Sequence, residues 1–286
     1  SVRRDNIFSA NVIDLDLLSI FFYYSVRAAK SNQVRLEIPA TSSCGPTEGG
    51  KIMAFNYDIP VLELLDVLGC QPNPDYQPDP RLPALLNDFL SRAYNSPLFK
   101  TADIWTKHPA WTSYEILEER IEEDREYYEE HPEELEEDDP FAPFLRLPKE
   151  EWPTLVENYL EIGSDYAAGV VGFGIREGDL GQPDPVVYML HEEDAPTGWK
   201  QFAPNLTGYL KYVLCAILCG ECYHTGQNVL EKAGWTYTAW EKPADAPMIP
   251  CIYDLAVCCG YDPDTKTVLA ILSDAQCKTC QINKGD

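Results

Sequence analysis

The segment from Glu115 to Asp139 carries about half of the net charge of this 286-residue chain. It contains fifteen Asp or Glu and two Arg, a net charge of −13, and the whole chain has a net charge of −25. So many like charges favour a solvated helix and loop over a buried element. A surface of this charge repels nucleic acid and anionic membranes and attracts basic proteins. We therefore expect a protein partner, and neither nucleic acid nor membrane.

Part of the acidic segment has helical spacing. Leu117, Ile121 and Tyr128 form a narrow apolar stripe that predicts a helix from Tyr114 to about Tyr128, ended by His131-Pro132. Pairs of Glu four residues apart, such as Glu118 and Glu122, repel each other along such a helix. The sequence allows two interpretations of this unfavourable repulsion. Either the segment only improves solubility, or its negative electrostatic field attracts a partner.

Under the second interpretation, aromatic side chains among the acids would anchor the partner, because interfaces are enriched in Tyr. Salt would screen the attraction over roughly 8 Å at 0.15 M ionic strength. The candidate partner-binding residues are Glu118, Glu122, Glu126, Tyr127, Tyr128 and Glu130.

The fold class follows from the mixture of apolar periodicities. A 45% hydrophobic fraction and a 12% aromatic fraction are typical of a packed globular protein. Helical patterns occupy 12–30, 61–68, 81–97 and 205–224, and strand patterns occupy 51–57, 166–175, 186–190, 236–240, 252–260 and 268–272. We predict an α+β protein with an antiparallel or mixed sheet and packed helices.

Two CxxC motifs are the sharpest chemical signal, with cysteines at Cys219, Cys222, Cys277 and Cys280. Four thiolates in such pairs can hold a tetrahedral zinc ion. The pairs are far apart in sequence, and Cys215 and Cys219 lie on the apolar stripe of a helix, where a free cysteine behaves as a small hydrophobe. Structural zinc, dithiol redox chemistry and plain thiols all stay open, and we expect no metal.

No complete catalytic motif is present. The glycines from Gly169 to Gly181 do not have the GxGxxG spacing of a dinucleotide site, and no P-loop, HExxH or GxSxG sequence occurs. Acidic residues are too abundant for any carboxylate pair to indicate a glycosidase by sequence. We therefore predict a non-enzymatic protein without a cofactor and assign no catalytic residue.

Five segments resemble the SUKH superfamily of small α+β domains, which are largely bacterial immunity proteins that neutralise toxins. The resemblance covers about residues 60–214. The matching segments are VLELLDVLG (61–69), LPALLNDFLSRAYN (82–95), LEIGSDYAAGVVGFGI (160–175), DPVVYML (184–190) and WKQFAPNLTGYLKYVL (199–214). They imply an N-terminal helix and extension over 1–59, a SUKH-like core over 60–214 with an acidic insertion near 110–146, and a Cys-rich, strand-like extension over 215–286 packed on the core.

The resemblance implies an immunity protein that binds a bacterial toxin directly, and the acidic insertion suits a basic toxin such as a nuclease. Family members bind through variable surfaces, so no catalytic residue is transferred. Two alternatives stay open: an intracellular regulatory scaffold that binds a basic host protein, and a zinc-stabilised enzyme of unknown reaction. The cysteine usage and the absence of a recognisable targeting segment predict a cytoplasmic location.

Overall fold

The computed structural model describes most of the chain after residue 53. The described residues are 54–94, 96–100, 109–112, 114–135, 141–165, 170–191, 197–219, 223–239, 243, 246–252, 255–273 and 278–284. All of them belong to Met53–Asp286, one of two units of the chain. The predicted helix at 12–30 lies outside the described residues.

Helices and antiparallel sheets are both present, so the predicted α+β class is confirmed. The α-helices are α1 (Val61–Val67), α2 (Ala84–Ala93), α3 (Tyr114–Glu130), α4 (Ala142–Arg146), α5 (Leu206–Cys219) and α6 (Tyr223–Lys232). Short 3-10 helices occupy Pro97–Phe99, Pro132–Glu134, Lys149–Thr154 and Glu177–Asp179. None of the helices in the described part of the chain is both long and apolar enough to span a membrane.

The first sheet is an antiparallel meander of five strands in the order β1-β2-β3-β4-β5. Its strands are β1 (Ala110–Thr112), β2 (Tyr159–Asp165), β3 (Val170–Arg176), β4 (Val187–His191) and β5 (Lys200–Ala203). Strands β3 and β4 pair directly, as predicted for a hairpin with a long connection. Phe173 and Ile175 of β3 are fully buried in the main core, while Gly172 and Gly174 alternate with them on the opposite face.

The second sheet has the order β6-β10-β9-β8-β7. Its strands are β6 (Trp235–Ala239), β7 (Ile249–Pro250), β8 (Ala256–Asp262), β9 (Thr267–Ser273) and β10 (Lys278–Lys284). The central strand β9 is buried on both faces, which explains its continuous apolar sequence. Val268 and Ala270 face the main core, whereas Leu269 and Ile271 join a smaller cluster with Phe55.

Helix α5 connects these layers. Its residues from Gly208 to Cys219 are all buried, and it packs against β8, β9 and β10 of the second sheet and against β5 of the first. A helix that is apolar on every side must be covered on every side. The predicted boundary between residues 214 and 215 falls inside this helix, and the predicted division into domains stays a prediction.

Two local predictions are corrected. The predicted strand at 51–57 is reduced, over the described residues, to one bridge between Asn56 and Tyr261. The helix predicted at 205–224 is described from Leu206 to Cys219, a second helix begins at Tyr223, and Gly226, which was predicted to end the first helix, lies inside α6. Glycine often terminates helices but is tolerated inside one that packs against neighbours, as α6 packs against α5 and β6.

The acidic segment belongs to an insertion between two paired strands. Thr112 of β1 lies opposite Tyr159 of β2, and the intervening chain leaves the sheet and returns to the same position. This insertion, residues 113–158, is called the acidic module below. It has a core of its own, formed by Ile121, Phe141, Phe144 and Trp152.

The close packing of two aromatic rings over Gly174 in the first sheet gives a stability prediction. The Tyr159 and Trp199 rings stack with their centres 4.1 Å apart. A Cβ atom at Gly174 would lie 3.1 Å from the Trp199 ring and from the Tyr159 Cβ. We expect Gly174→Ala to lower the free energy of unfolding by about 1–3 kcal/mol, measured by urea denaturation, because the stacked rings must move.

The matched control is Gly178→Ala, because a Cβ atom there meets nothing within 4 Å. We expect its free energy of unfolding to stay within about 0.5 kcal/mol of the parent protein. Equal unfolding midpoints for the two variants would contradict the packing described at Gly174.

Candidate protein-binding surface

The inner face of α3 attaches the helix to the acidic module. Ile121 is fully buried in the module core, and Tyr128 is half-buried, with its ring stacked 5.6 Å from the ring of Phe141. The Trp152 indole nitrogen donates hydrogen bonds to the carbonyls of Phe144 and Leu147, at 3.0 and 3.2 Å. The core is small, but the indole N–H that it buries has hydrogen-bond partners. The packing of α3 into this core determines which side of the helix faces inward.

Two cations compensate the carboxylates next to this inner face. The Lys149 ammonium lies 3.4 Å from Glu118 Oε1 and 3.0 Å from Glu122 Oε2. The pKa of Lys149 is raised because its ammonium donates to Glu122. Arg125 pairs with Glu129 one helical turn later, at 2.8 Å. These ion pairs relieve the repulsion among the acids on this side of the helix.

Both cations also contact the central aromatic residue of the module. The Arg125 guanidinium and the Lys149 ammonium lie 5.6 and 5.8 Å from the centre of the Trp152 ring. A cation at this distance is attracted by the electrons of the ring face. Arg125 and Lys149 are therefore turned toward Trp152 and the inner carboxylates.

The opposite face of α3 is exposed and acidic. Glu123, Glu126, Tyr127 and Glu130 are all exposed. Their spacing of three and four residues places them on one side of the helix. We call this set the outer stripe. Tyr127 retains 47% of its accessible surface and is the one large apolar side chain counted as exposed among the described residues.

Contacts on several sides hold the ring of Tyr127. Its hydroxyl donates a hydrogen bond to Glu134 Oε2, and its ring centre lies 5.5 Å from Tyr128 and 4.8 Å from His131. The pKa of Tyr127 is raised because Glu134 accepts from the protonated phenol. The phenol therefore stays a donor at neutral pH, and the ring is oriented before any partner arrives.

The structure separates the sequence-predicted residues into two groups. Glu126, Tyr127 and Glu130 lie on the outer stripe. Glu118 and Glu122 point toward Lys149, and Tyr128 packs in the module, so these three support the helix. None of the six is shown to contact a partner, and their partner-binding role stays a prediction.

Sequence reasoning missed two residues of this surface, Glu123 and Glu134. Glu123 lies one turn before Tyr127, and a helical wheel centred on the buried Ile121 would have placed it outward. Glu134 lies in the following 3-10 helix, and its contact with Tyr127 depends on how the chain turns after His131. No periodic signal in the sequence indicates that contact.

One group of potential metal ligands occurs within the described residues. Ligand atoms of His131, Glu133 and Glu134 lie within 4.8 Å of one another. His131 Nδ1 is 3.9 Å from Glu133 Oε1. The group is largely exposed, and exposed acids of this kind are common on protein surfaces without a metal. We assign no metal to it.

The predicted cysteine site is only partly described. Cys222 and Cys277 lie outside the described residues, and the side chain of Cys280 does as well. Cys219 is buried at the end of α5, where its thiol donates to the Cys215 carbonyl at 3.0 Å. The zinc and dithiol hypotheses for the CxxC motifs therefore stay untested.

A different pair of thiols meets between α5 and β8. Cys215 and Cys259 are both fully buried, with their sulfur atoms 3.3 Å apart. Burial strongly raises the pKa of the Cys215 thiol, because the thiolate would lose its hydration in the core. Burial also raises the pKa of the half-buried Cys251 to about 12. These thiols act as core side chains.

No protein-family model, no curated protein and no solved structure matches the chain. The interpretation of the acidic module therefore depends on its own geometry. In that geometry α3 has an apolar inner face, carboxylates beside this face that are ion-paired with lysine or arginine, and an acidic outer stripe centred on one oriented aromatic ring.

The buried thiols give a prediction about alkylation. In the folded protein at pH 8 we expect iodoacetamide to leave Cys215 and Cys259 unmodified, because alkylation requires an accessible thiolate. In a chemical denaturant both should react, since unfolding exposes both thiols to the reagent. Peptide mapping by mass spectrometry gives the readout. Alkylation of either residue in the native protein would show that the contact between α5 and β8 opens readily.

Proposed function

We propose that this chain is a non-enzymatic binding protein that neutralises a basic protein toxin, as SUKH-type immunity proteins do. The observation that carries the proposal is the outer stripe of α3, where one exposed, oriented tyrosine lies among carboxylates. Aromatic residues supply much of the energy of protein interfaces, and surrounding charges speed the encounter and exclude partners of like charge. Inhibition would follow if the stripe covered a basic functional surface of the toxin, such as the substrate site of a nuclease.

Electrostatics supports a basic partner. The chain has a net charge of −25, and the cations next to the inner face of α3 are already paired with Glu118, Glu122 and Glu129. An acidic partner would be repelled by the outer stripe. A basic partner would be attracted to it, because its carboxylates have no ion-pair partner among the described residues. A cytoplasmic site of action belongs to the same proposal, since an immunity protein acts where its toxin would act.

The regulatory scaffold is the alternative that shares this surface. Both functions require a basic partner, and they differ in what happens to that partner. An immunity protein abolishes the activity of the bound protein, whereas a scaffold leaves it active. Mixing the purified partner with this chain and assaying the partner's activity separates the two.

The test of the surface removes charge from the outer stripe alone. The variant is Glu123→Gln, Glu126→Gln and Glu130→Gln together, with the partner recovered from a lysate of the source cells. We expect at least a tenfold loss of affinity at 50 mM salt, because three attractive interactions are removed. The salt dependence of binding should also become weaker, and titration calorimetry at several salt concentrations measures both effects.

The matched control removes the same number of charges elsewhere, by Glu63→Gln, Asp75→Asn and Asp88→Asn. These three side chains are exposed on or near α1 and α2, outside the acidic module. We expect the control to change affinity less than threefold, since distant exposed charges are screened. Equal losses in the two variants would mean that the partner responds to total charge, and an unchanged affinity in the first variant would eliminate the stripe as the interface.

A further inference from the structure

The ring of Tyr127 has the features of a platform for a flat cation. Its hydroxyl donates a hydrogen bond to Glu134, the Tyr128 ring lies at 76° to it, and the His131 ring is tilted by 39° with its centre 4.8 Å away. Nearly half of the side chain is still exposed. A ring that is already oriented loses little conformational entropy when a ligand stacks on it.

Carboxylates lie next to the platform on both sides along the helix. Glu123 precedes Tyr127 by four residues and Glu130 follows it by three, so both Cβ atoms lie roughly 5–6 Å from that of Tyr127. Both side chains are exposed. Among the described residues neither has an ion-pair partner, whereas Glu118, Glu122 and Glu129 do. Within the described part of α3, the carboxylates beside the ring thus have no ion-pair partner, in contrast to those near the module core.

From this geometry we infer that Tyr127, Glu123 and Glu130 form a receptor for a guanidinium group, presented by an arginine of the basic partner. A guanidinium is planar, stacks on aromatic faces and donates two parallel hydrogen bonds to a carboxylate. An ammonium carries the same charge but has no plane to stack and is more strongly hydrated. The inference rests on the proposed function and names the side chain that this surface selects.

Other ligand classes fit the platform less well. An anion would be repelled by the outer stripe, and an apolar ligand would find one ring surrounded by charged groups. A lysine would gain the electrostatic attraction of the carboxylates without the stacking. The arginine preference is thus the property that distinguishes a recognition site from a general acidic surface.

The test compares two peptides of equal charge, hexaarginine and hexalysine, by titration calorimetry against the full chain in 150 mM salt. We expect hexaarginine to bind about tenfold more tightly, because it adds stacking and paired hydrogen bonds to the same net charge. The variant Tyr127→Leu removes the ring from an exposed position, so folding should be preserved. We expect this variant to bind both peptides with equal, weaker affinity.

Tyr127→Phe and the distant charge control complete the experiment. Phenylalanine keeps the ring but loses the hydrogen bond to Glu134, so it should retain most of the arginine preference. The variant that carries Glu63→Gln, Asp75→Asn and Asp88→Asn should retain all of it. A preference that survives in Tyr127→Leu, or equal binding of the two peptides by the parent protein, would overturn the guanidinium site and leave the basic-partner proposal standing. Failure of both peptides to bind would overturn both.

Discussion

The burial of helix α5 is the constraint on which the rest of the fold depends. Its residues from Gly208 to Cys219 are all buried, and even Lys211 is among them, with its ammonium donating to the Tyr57 carbonyl at 3.3 Å. A helix of this composition is stable only when other elements cover its whole circumference. The two sheets, α1 and α6 supply that cover, and the side chains of both sheets meet α5 in one hydrophobic cluster. The meander that carries the acidic module is therefore fixed to the second sheet through this helix.

The helix of the acidic module, α3, differs from α5 because it has little apolar surface to bury. Ile121 is the one fully buried apolar side chain on α3 whose burial is described, and it contacts a core of only a few aromatic residues. The module compensates by placing Lys149 and Arg125 between the acids and the face of Trp152. This arrangement uses these two cations for support and leaves the outer stripe negative. Apolar packing and uncovered negative charge thus lie on opposite sides of one helix.

Elements with a strong apolar periodicity could be predicted from the sequence. Pairings between strands that are far apart in the chain could not. The start of α1 and the left-handed Gly69 after it were predictable from the apolar spacing and the glycine. Strand β10, with the sequence KTCQINK, has only two apolar residues, Cys280 and Ile282, and its place between β6 and β9 is set by its neighbours. The outer position of Tyr127 was predictable from its helical phase, but its bond to Glu134 was not. The sequence also could not show that Lys149 would form its ion pairs with Glu118 and Glu122, because many other carboxylates lie nearby in the chain.

The pairing of Thr112 with Tyr159 has a consequence for how such a protein can diversify. Opposite residues of antiparallel strands have Cα atoms only about 4.5–5.5 Å apart, so the acidic module enters and leaves the sheet at nearly one point. A loop closed at its base tolerates large changes in length at small entropic cost. The module can therefore be exchanged, lengthened or recharged through mutation while the scaffold keeps its pairing. An insertion attached at one point of the sheet is thus a part of the fold that can change independently of the scaffold.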